Sequence, residues 1–167
     1  MERIVLIGSG GAGKSTLAKQ LAARLDLPVH HLDALYWKPG WTPTPRPEWE
    51  AIQRQLVTGD RWIIDGNYAA TMGIRLAAAD TVIYLDYPRL LCLWRAFKRV
   101  LQYRKRTRPD MGEGCPEMID REFVRWIWRF PIDERPKLLE RLAAMANTKQ
   151  VIRLRSPKAA ARFLSSL

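Results

Sequence analysis

The chain has 167 residues, of which 47% are hydrophobic, and it carries a formal net charge of +11 at pH 7. This length and apolar content are typical of one folded domain that buries about 70% of its unfolded surface, and they exclude intrinsic disorder. The sequence has no leader pattern and no apolar run near the roughly 18 residues of a membrane span, so we expect no membrane contact. The positive charge favours anionic partners, among which nucleic acid is possible.

Short apolar runs alternate with helical patterns along the chain, which is typical of a mostly parallel sheet with helices on both faces. The sequence predicts five strands near residues 3–7, 28–31, 61–65, 81–86 and 150–154. It predicts helices near residues 14–25, 48–58, 88–103, 117–129, 133–146 and 157–166. We therefore expect one three-layer α/β/α domain over residues 1–167.

A glycine-rich loop follows the first predicted strand and matches the pattern GxxxxGK[ST] in full. Strand, loop and helix in this order are the context in which the pattern forms a phosphate-binding loop, and they predict a P-loop NTPase fold. Glycines let backbone N–H groups converge on phosphate oxygens, and the helix N-terminus adds partial positive charge. The residues expected to contact the nucleotide are Gly8, Gly10, Gly11, Ala12, Gly13, Lys14, Ser15 and Thr16.

Two residues of this loop have expected roles of their own. Lys14 is placed to reach the β- and γ-phosphates, and the hydroxyl of Ser15 is placed to bind Mg²⁺. We therefore expect ATP and Mg²⁺ as the cofactors.

The second predicted strand leads into an insertion, at about residues 33–60, that we expect on the acceptor side. Asp33 could act as general base on an acceptor hydroxyl, orient an acceptor or help to hold Mg²⁺; alternatively it caps a short helix. Tyr36, Trp37 and Trp41 could stack on a planar acceptor or pack the proline-rich loop onto the domain. His30 and His31 point to opposite faces of the strand, and we expect a structural role for each.

The third predicted strand ends at Asp65, which Gly66 and Asn67 follow. A carboxylate at the carboxyl end of a strand beside the phosphate loop is the expected Mg²⁺ partner, and a turn cap is the alternative.

Basic residues are concentrated in residues 89–108, which contain no acidic residue. A solvated helix face would mix both signs of charge, so this run indicates an anion site. Prolines and glycines follow at 109–116, and we expect a basic lid at about residues 103–117. Cys92 and Cys115 form no metal-binding spacing, which favours a reduced, cytoplasmic setting.

The run VIYLDYP at 82–88, followed by Arg95 and Arg99, resembles adenylate kinases and related nucleoside monophosphate kinases. A closer resemblance is to bacterial adenylate-kinase-like and DNA topology modulation (FlaR-related) proteins. This closer resemblance lies in the runs HLDALYWKPGW at 31–41, IDGNY at 64–68 and TRPDMGEGCP at 107–116.

The resemblance to the kinases implies roles for several residues. Arg95 would stack on the adenine, Arg99 would contact the transferring phosphates, and Arg104 and Arg108 would act from the lid. Arg155 and Pro157 would lie against the adenine edge. Where those kinases have Phe-Pro-Arg after Asp-Gly, this chain has Asn67-Tyr68-Ala69, and Arg75 is the candidate substitute for the missing arginine.

The sequence thus favours a kinase that uses Mg·ATP, with two kinds of acceptor open. A monophosphate acceptor would need cations such as Lys38, Arg46 and Arg75, whereas a hydroxyl acceptor would need a base, for which Asp33 is the candidate. The aromatic residues, which suit a base, and the resemblance to nucleotide kinases favour a nucleotide or nucleoside as acceptor. Asn67 is a further candidate for contact with the acceptor. The alternative, a nucleic-acid-binding protein that uses ATP as a switch, is not favoured because no nucleic-acid-binding motif occurs.

Overall fold

The structure is a computed structural model that describes residues 1–104 and 106–167. Its strands in chain order are β1 (Arg3–Gly8), β2 (Val29–His31), β3 (Trp37–Lys38), β4 (Thr42–Pro43), β5 (Trp62–Asp65), β6 (Thr81–Leu85) and β7 (Gln150–Leu154). Five of them form a parallel sheet in the order β2-β5-β1-β6-β7, and β3 and β4 form a small antiparallel hairpin.

The helices in chain order are α1 (Lys14–Leu25), α2 (Leu32–Tyr36), α3 (Arg46–Leu56), α4 (Met72–Ala78), α5 (Arg89–Gln102), α6 (Arg121–Asp133), α7 (Arg135–Met145) and α8 (Pro157–Ser165). The structure confirms the five predicted strands of the main sheet and the six predicted helices. It adds α4, which the sequence pattern did not predict, and the β3–β4 hairpin. No described helix has both the length and the apolarity needed to cross a membrane.

The sheet is buried between two layers of helices because alternate residues of each strand face opposite sides. In β1, Ile4 and Leu6 pack in a core with residues of α1, α5 and α8. Val5 and Ile7 pack in a second core with residues of α3, α4 and α7. The prediction of a three-layer α/β/α fold around a five-stranded parallel sheet is confirmed.

The carboxyl ends of β1, β2 and β5 lie side by side at one edge of the sheet, since His31 and Leu6 are both in register with Asp65. Ligands of open parallel sheets bind at this edge. Helix α6 crosses it, because Ile127 belongs to one core and Phe130 to the other. The edge and α6 therefore enclose the region in which the predicted site residues are expected.

Candidate active site

The loop between β1 and α1 adopts backbone conformations that glycine permits. Gly11 and Gly13 have φ values of 73° and 94°, in the left-handed region. A Cβ on Gly11 would lie 2.1 Å from the carbonyl oxygen of Cys92, so no side chain fits there. No side chain caps the start of α1, which leaves the N–H groups of its first turn available to an anion.

Lys14 lies across this loop. Its ammonium donates hydrogen bonds to the carbonyl oxygens of Gly8 at 2.9 Å and Ser9 at 3.0 Å. Burial lowers the pKa of Lys14, and the charges of Asp33 and Asp65 oppose that shift. Both carboxylates are therefore near enough for their charges to act on the lysine.

Asp65 is held at the carboxyl end of β5 by its neighbour on β2. Its carboxylate lies 2.8 Å from Nδ1 of His31, and its residue is 3% exposed. His31 is thus hydrogen-bonded to a carboxylate, as expected for a structural histidine. The hydroxyl of Ser15 and the carboxylate of Asp65 are hard oxygen donors, the kind that Mg²⁺ prefers.

The side chain of Asn67 faces the phosphate loop. Its amide nitrogen donates to the carbonyl oxygen of Gly8 at 2.7 Å, and its amide oxygen accepts from the N–H of Gly8 at 3.0 Å. In this position the amide fixes the end of β1, so its contact in the structure differs from the acceptor contact predicted for it.

Asp33 lies in the first turn of α2 and does not cap it, because the N-cap residue is His31. The hydroxyl of Tyr68 donates to Oδ1 of Asp33 at 2.8 Å. Burial and the charge of Asp33 both raise the pKa of Tyr68, so the phenol remains protonated. The carboxylate of Asp33 is therefore held by a neutral donor, and its charge acts on Lys14.

Aromatic rings connect the acceptor-side insertion to the loop after β5. The ring of Tyr36 lies 4.9 Å from Trp37, 5.0 Å from Trp49 and 4.7 Å from Tyr68, measured between centroids. Trp37 in turn lies 5.5 Å from Trp41. These rings pack on one another, which fits the predicted alternative that they attach the loop to the domain.

The three cations predicted for a phosphate-bearing acceptor all have protein partners. Lys38 Nζ lies 3.1 Å from both carboxylate oxygens of Glu48, and Arg46 Nε lies 3.0 Å from Glu50. Arg75 is completely buried, and burial lowers its pKa to about 10. The guanidinium of Arg75 donates to the side chain of Gln53 and to the carbonyl oxygens of Gly66 and Asn67.

The arginines of α5 lie beside the phosphate loop. Arg95 donates to the carbonyl oxygen of Ala12 at 3.1 Å, and its guanidinium lies 5.6 Å from the centre of the Tyr87 ring. Arg99 Nε lies 2.7 Å from Glu117. Burial lowers the pKa of Arg99, as does the charge of Arg108, whereas Glu117 raises it.

Glu117 also binds an arginine of the predicted lid. Its second oxygen lies 2.6 Å from Nε of Arg108, whose Nη1 lies 3.3 Å from Asp110. Burial would raise the pKa of Asp110, but Arg108 and a hydrogen bond with Ser15 lower it. Arg99, Arg108 and two carboxylates thus form one network that extends to the phosphate loop.

Other lid residues contact the acceptor-side insertion. The N–H of Gly40 donates to the carbonyl oxygen of Gly114 at 3.0 Å, and Nε1 of Trp41 donates to that of Pro116 at 3.2 Å. Arg104 is exposed and its backbone is bridged to Glu117. Lys105, which belongs to the predicted anion site, lies outside the described residues.

The residues predicted at the adenine edge lie at the start of α8. Pro157 begins that helix, Ser156 caps it by accepting from the N–H of Ala159 at 3.2 Å, and Arg155 is exposed. Thr16, predicted in the phosphate loop, is exposed in the first turn of α1.

The sequence interpretation missed the residues that cover the site from α6. A Cβ on Gly10 would lie 2.7 Å from Phe123 and 3.1 Å from Trp126, so these rings lie directly on the phosphate loop. It also missed Tyr68 as the partner of Asp33 and Glu117 as the partner of two arginines. The only signal for Tyr68 was its place three residues after Asp65, at a strand end.

No protein-family model matches this chain, and no curated protein matches it. Solved structures do match. A sugar kinase from Janibacter sp., in an unliganded structure, aligns with a TM-score of 0.55 and 17% identity over 99% of this chain and 93% of that one. A shikimate kinase from Acinetobacter baumannii, in complex with shikimate, aligns with a TM-score of 0.56 and 17% identity over 99% of this chain and 90% of that one. The fold is therefore that of the P-loop kinases.

Proposed function

We propose that this protein transfers the γ-phosphoryl group of Mg·ATP to a hydroxyl group of a small molecule. One observation carries the proposal: the carboxylate of Asp33 is held by Tyr68 at 2.8 Å, and its charge acts on Lys14, which lies across the phosphate loop. The two kinases of the same fold act, by their names, on a sugar and on shikimate. This likeness supports the proposal without identifying the acceptor.

The nucleotide half of the proposal rests on the phosphate loop. The glycine conformations and the uncapped start of α1 would present N–H groups to the phosphates. Lys14 would replace its hydrogen bonds to two loop carbonyl oxygens with hydrogen bonds to phosphate oxygens. Arg99 and Arg108 would neutralise charge on the phosphoryl group as it moves. Arg95, Arg155 and Pro157 are proposed, as in the sequence interpretation, for the adenine.

Ser15 and Asp65 would hold Mg²⁺, and their oxygen donors fit that ion. When bound, Mg²⁺ would neutralise charge on the β- and γ-phosphates. His31 would keep Asp65 oriented through its 2.8 Å contact, since both residues are fixed in adjacent strands.

A hydroxyl acceptor needs a base, and Asp33 fits this role. Its carboxylate would accept the hydroxyl proton while the acceptor oxygen forms a bond to the γ-phosphorus. The bond from that phosphorus to the bridging oxygen breaks, and ADP leaves. Tyr68, which remains neutral, would hold the carboxylate in position through its hydrogen bond.

The site fits an acceptor that carries a phosphate group less well, because the main candidate cation is not free to bind it. Arg75, the candidate for gripping an acceptor phosphate, is completely buried beneath the loop at 66–67. Lys38 and Arg46 form exposed pairs with Glu48 and Glu50, which contribute little, so it is the burial of Arg75 that disfavours a phosphate. We therefore favour a hydroxyl acceptor over a monophosphate.

The test is an ADP-release assay with Mg·ATP and a panel of sugars, cyclitols, amino alcohols, nucleosides and nucleoside monophosphates. We expect hydroxyl acceptors to be phosphorylated and Lys14→Ala to abolish the reaction. Asp33→Asn should lower kcat by about 10²- to 10⁴-fold, because a positioned base contributes that factor, while leaving the Kd for ATP unchanged.

Asp60→Asn is the matched control, since Asp60 is exposed in the turn before β5. Phosphorylation of monophosphates alone, at a rate that Asp33→Asn does not change, would contradict the proposal.

A further inference from the structure

A cavity of about 290 Å³ is lined by the loop at Asn67–Ala69, by α4, and by α6, α7 and the residue that joins them. This volume is at the small end of the range of about 300–1,000 Å³ that is typical of small-molecule sites. Its lining includes Asn67 and Tyr68 from the loop, and Trp126, Phe130 and Glu134 from α6 and the residue that follows it.

Three lining residues connect the cavity to the proposed site. Asn67 is bonded to Gly8, Trp126 lies against Gly10, and the hydroxyl of Tyr68 binds Asp33. A small molecule in this cavity would therefore lie next to both the phosphate loop and the proposed base.

The chemistry of the lining is aromatic, apolar and acidic. Trp126, Phe130 and Tyr68 supply rings, and Met72 and Leu138 supply aliphatic surface. Within the part of the chain that the structure describes, Glu134 is the only charged residue in the lining. An acidic residue in an aromatic lining favours a cation and disfavours carboxylate and phosphate groups.

Glu134 is fixed by its place between two helices. Its N–H donates to the carbonyl oxygen of Phe130 at 3.1 Å, and its own carbonyl oxygen accepts from the N–H of Leu138 at 3.0 Å. Its carboxylate lies 3.4 Å from Lys137, whose side chain is 66% exposed. Such exposed ion pairs contribute little to stability, so the ammonium group of a ligand can replace Lys137 beside Glu134.

We propose that this cavity binds the non-reacting part of the acceptor, and that the acceptor is a small hydroxyl compound with a protonated amine. The amine would lie at Glu134 between the aromatic rings, and the hydroxyl would reach Asp33. This inference rests on the proposed function for the identity of the ligand as acceptor, but binding in the cavity can be measured without turnover.

The experiment uses two sets of probes, each built on one carbon skeleton and carrying an ammonium group, no charge or a carboxylate. One set is phenylalaninol, 3-phenylpropanol and phenyllactate; the other is glucosamine, glucose and glucuronate. Binding is measured by calorimetry on the full chain, and phosphorylation by ADP release with Mg·ATP.

We expect at least one amine to bind more tightly than its neutral and acidic analogues. Glu134→Gln should weaken that binding by about 10- to 100-fold, the contribution of a hydrogen bond to a charged group, while binding of the neutral analogue stays the same. Glu140→Gln is the matched control, because Glu140 is exposed on the same helix. Trp126→Leu should also weaken amine binding, since it removes a ring from the lining.

The outcomes separate the two proposals. Amine binding that depends on Glu134 without any phosphorylation would support the cavity site and contradict the kinase function. Phosphorylation that prefers the neutral or acidic analogues would support the function and overturn the amine site. Binding of neither amine, or binding that Glu134→Gln leaves unchanged, also overturns the amine site.

Discussion

Glu117 binds, with one carboxylate, the two arginines that we assign to phosphate. Its oxygens lie 2.7 Å from Arg99 Nε and 2.6 Å from Arg108 Nε, and its side chain is 2% exposed. A triphosphate and this carboxylate would compete for the same guanidinium groups. Glu117 therefore holds the two arginines together, and we expect it to oppose nucleotide binding.

Replacing the carboxylate of Glu117 with a neutral group should leave Arg99 and Arg108 free to bind the triphosphate. We expect Glu117→Gln to tighten ATP binding by about 3- to 10-fold, which corresponds to no more than about 1.4 kcal/mol. Calorimetric titration with ATP measures this change, and Glu113→Gln is the control because Glu113 is exposed in the same lid. Weaker ATP binding would instead mean that Glu117 is needed to position the arginines.

Residues in the site differ in how far the sequence could predict them. The phosphate loop was predictable because its chemistry depends on consecutive residues. The partner of Asp33 was not, since Tyr68 lies 35 positions away and meets it only through the packing of β2 against β5. Arg75 could be assigned to the acceptor from sequence, and only the structure places its guanidinium under the loop.

At the scale of the elements, Asp86 connects β6 to its two neighbours in space. Its carboxylate accepts from Arg135 of α7 at 2.8 Å and from Arg153 of β7 at 2.8 Å. Burial would raise the pKa of Asp86, but the two arginines hold it below its usual value. The sequence resemblance placed Asp86 in a kinase motif, and the structure shows these two structural partners.

Removing this charge should destabilise the fold in a pH-dependent way. We expect Asp86→Asn to lower the free energy of unfolding at pH 7 by about 2 kcal/mol, because two arginines lose a charged partner. A depressed pKa in the folded state contributes stability above the unfolded pKa and loses it as pH falls through the folded value. Urea unfolding should therefore show the whole difference at pH 7 and a smaller one at about pH 2, because the contribution falls only as the pH drops below the ordinary pKa of Asp, about 3.9, toward the lower folded value. An equal difference at both pH values would contradict this origin.

The elements that the sequence predicted are those with strong internal patterns. The strands of the sheet are buried apolar runs, and the predicted helices are long enough to show their period. Helix α4 spans 7 residues and the β3–β4 hairpin pairs 2 residues on each side, too short for a pattern to appear. The position of α6 over Gly10 depends on tertiary packing alone.

At the scale of the whole molecule, local pairing occupies several of the basic residues behind the net charge of +11. Arg99, Arg108, Arg135 and Arg153 each lie against a carboxylate. These four arginines therefore do not belong to a free positive surface. Pairing of this kind fits a site for small anions better than an extended track for nucleic acid.

This argument predicts weak binding of nucleic acid. We expect fluorescence anisotropy with a labelled duplex to show no tight complex at 200 mM salt. Any binding at 50 mM should fall steeply with salt, by about 10³- to 10⁵-fold if 6–10 phosphates are contacted. Tight binding at 200 mM salt that survives Lys14→Ala would favour the nucleic-acid alternative.

The hydrogen bond from Gly40 to Gly114, together with that from Trp41 to Pro116, joins the two segments that flank the proposed site. As long as both bonds persist, neither segment can swing away without the other. The nucleotide and the acceptor would then enter and leave through the same opening. Binding and release of one ligand would therefore be coupled to binding and release of the other. If the two segments close together, one movement would exclude water from both halves of the proposed site.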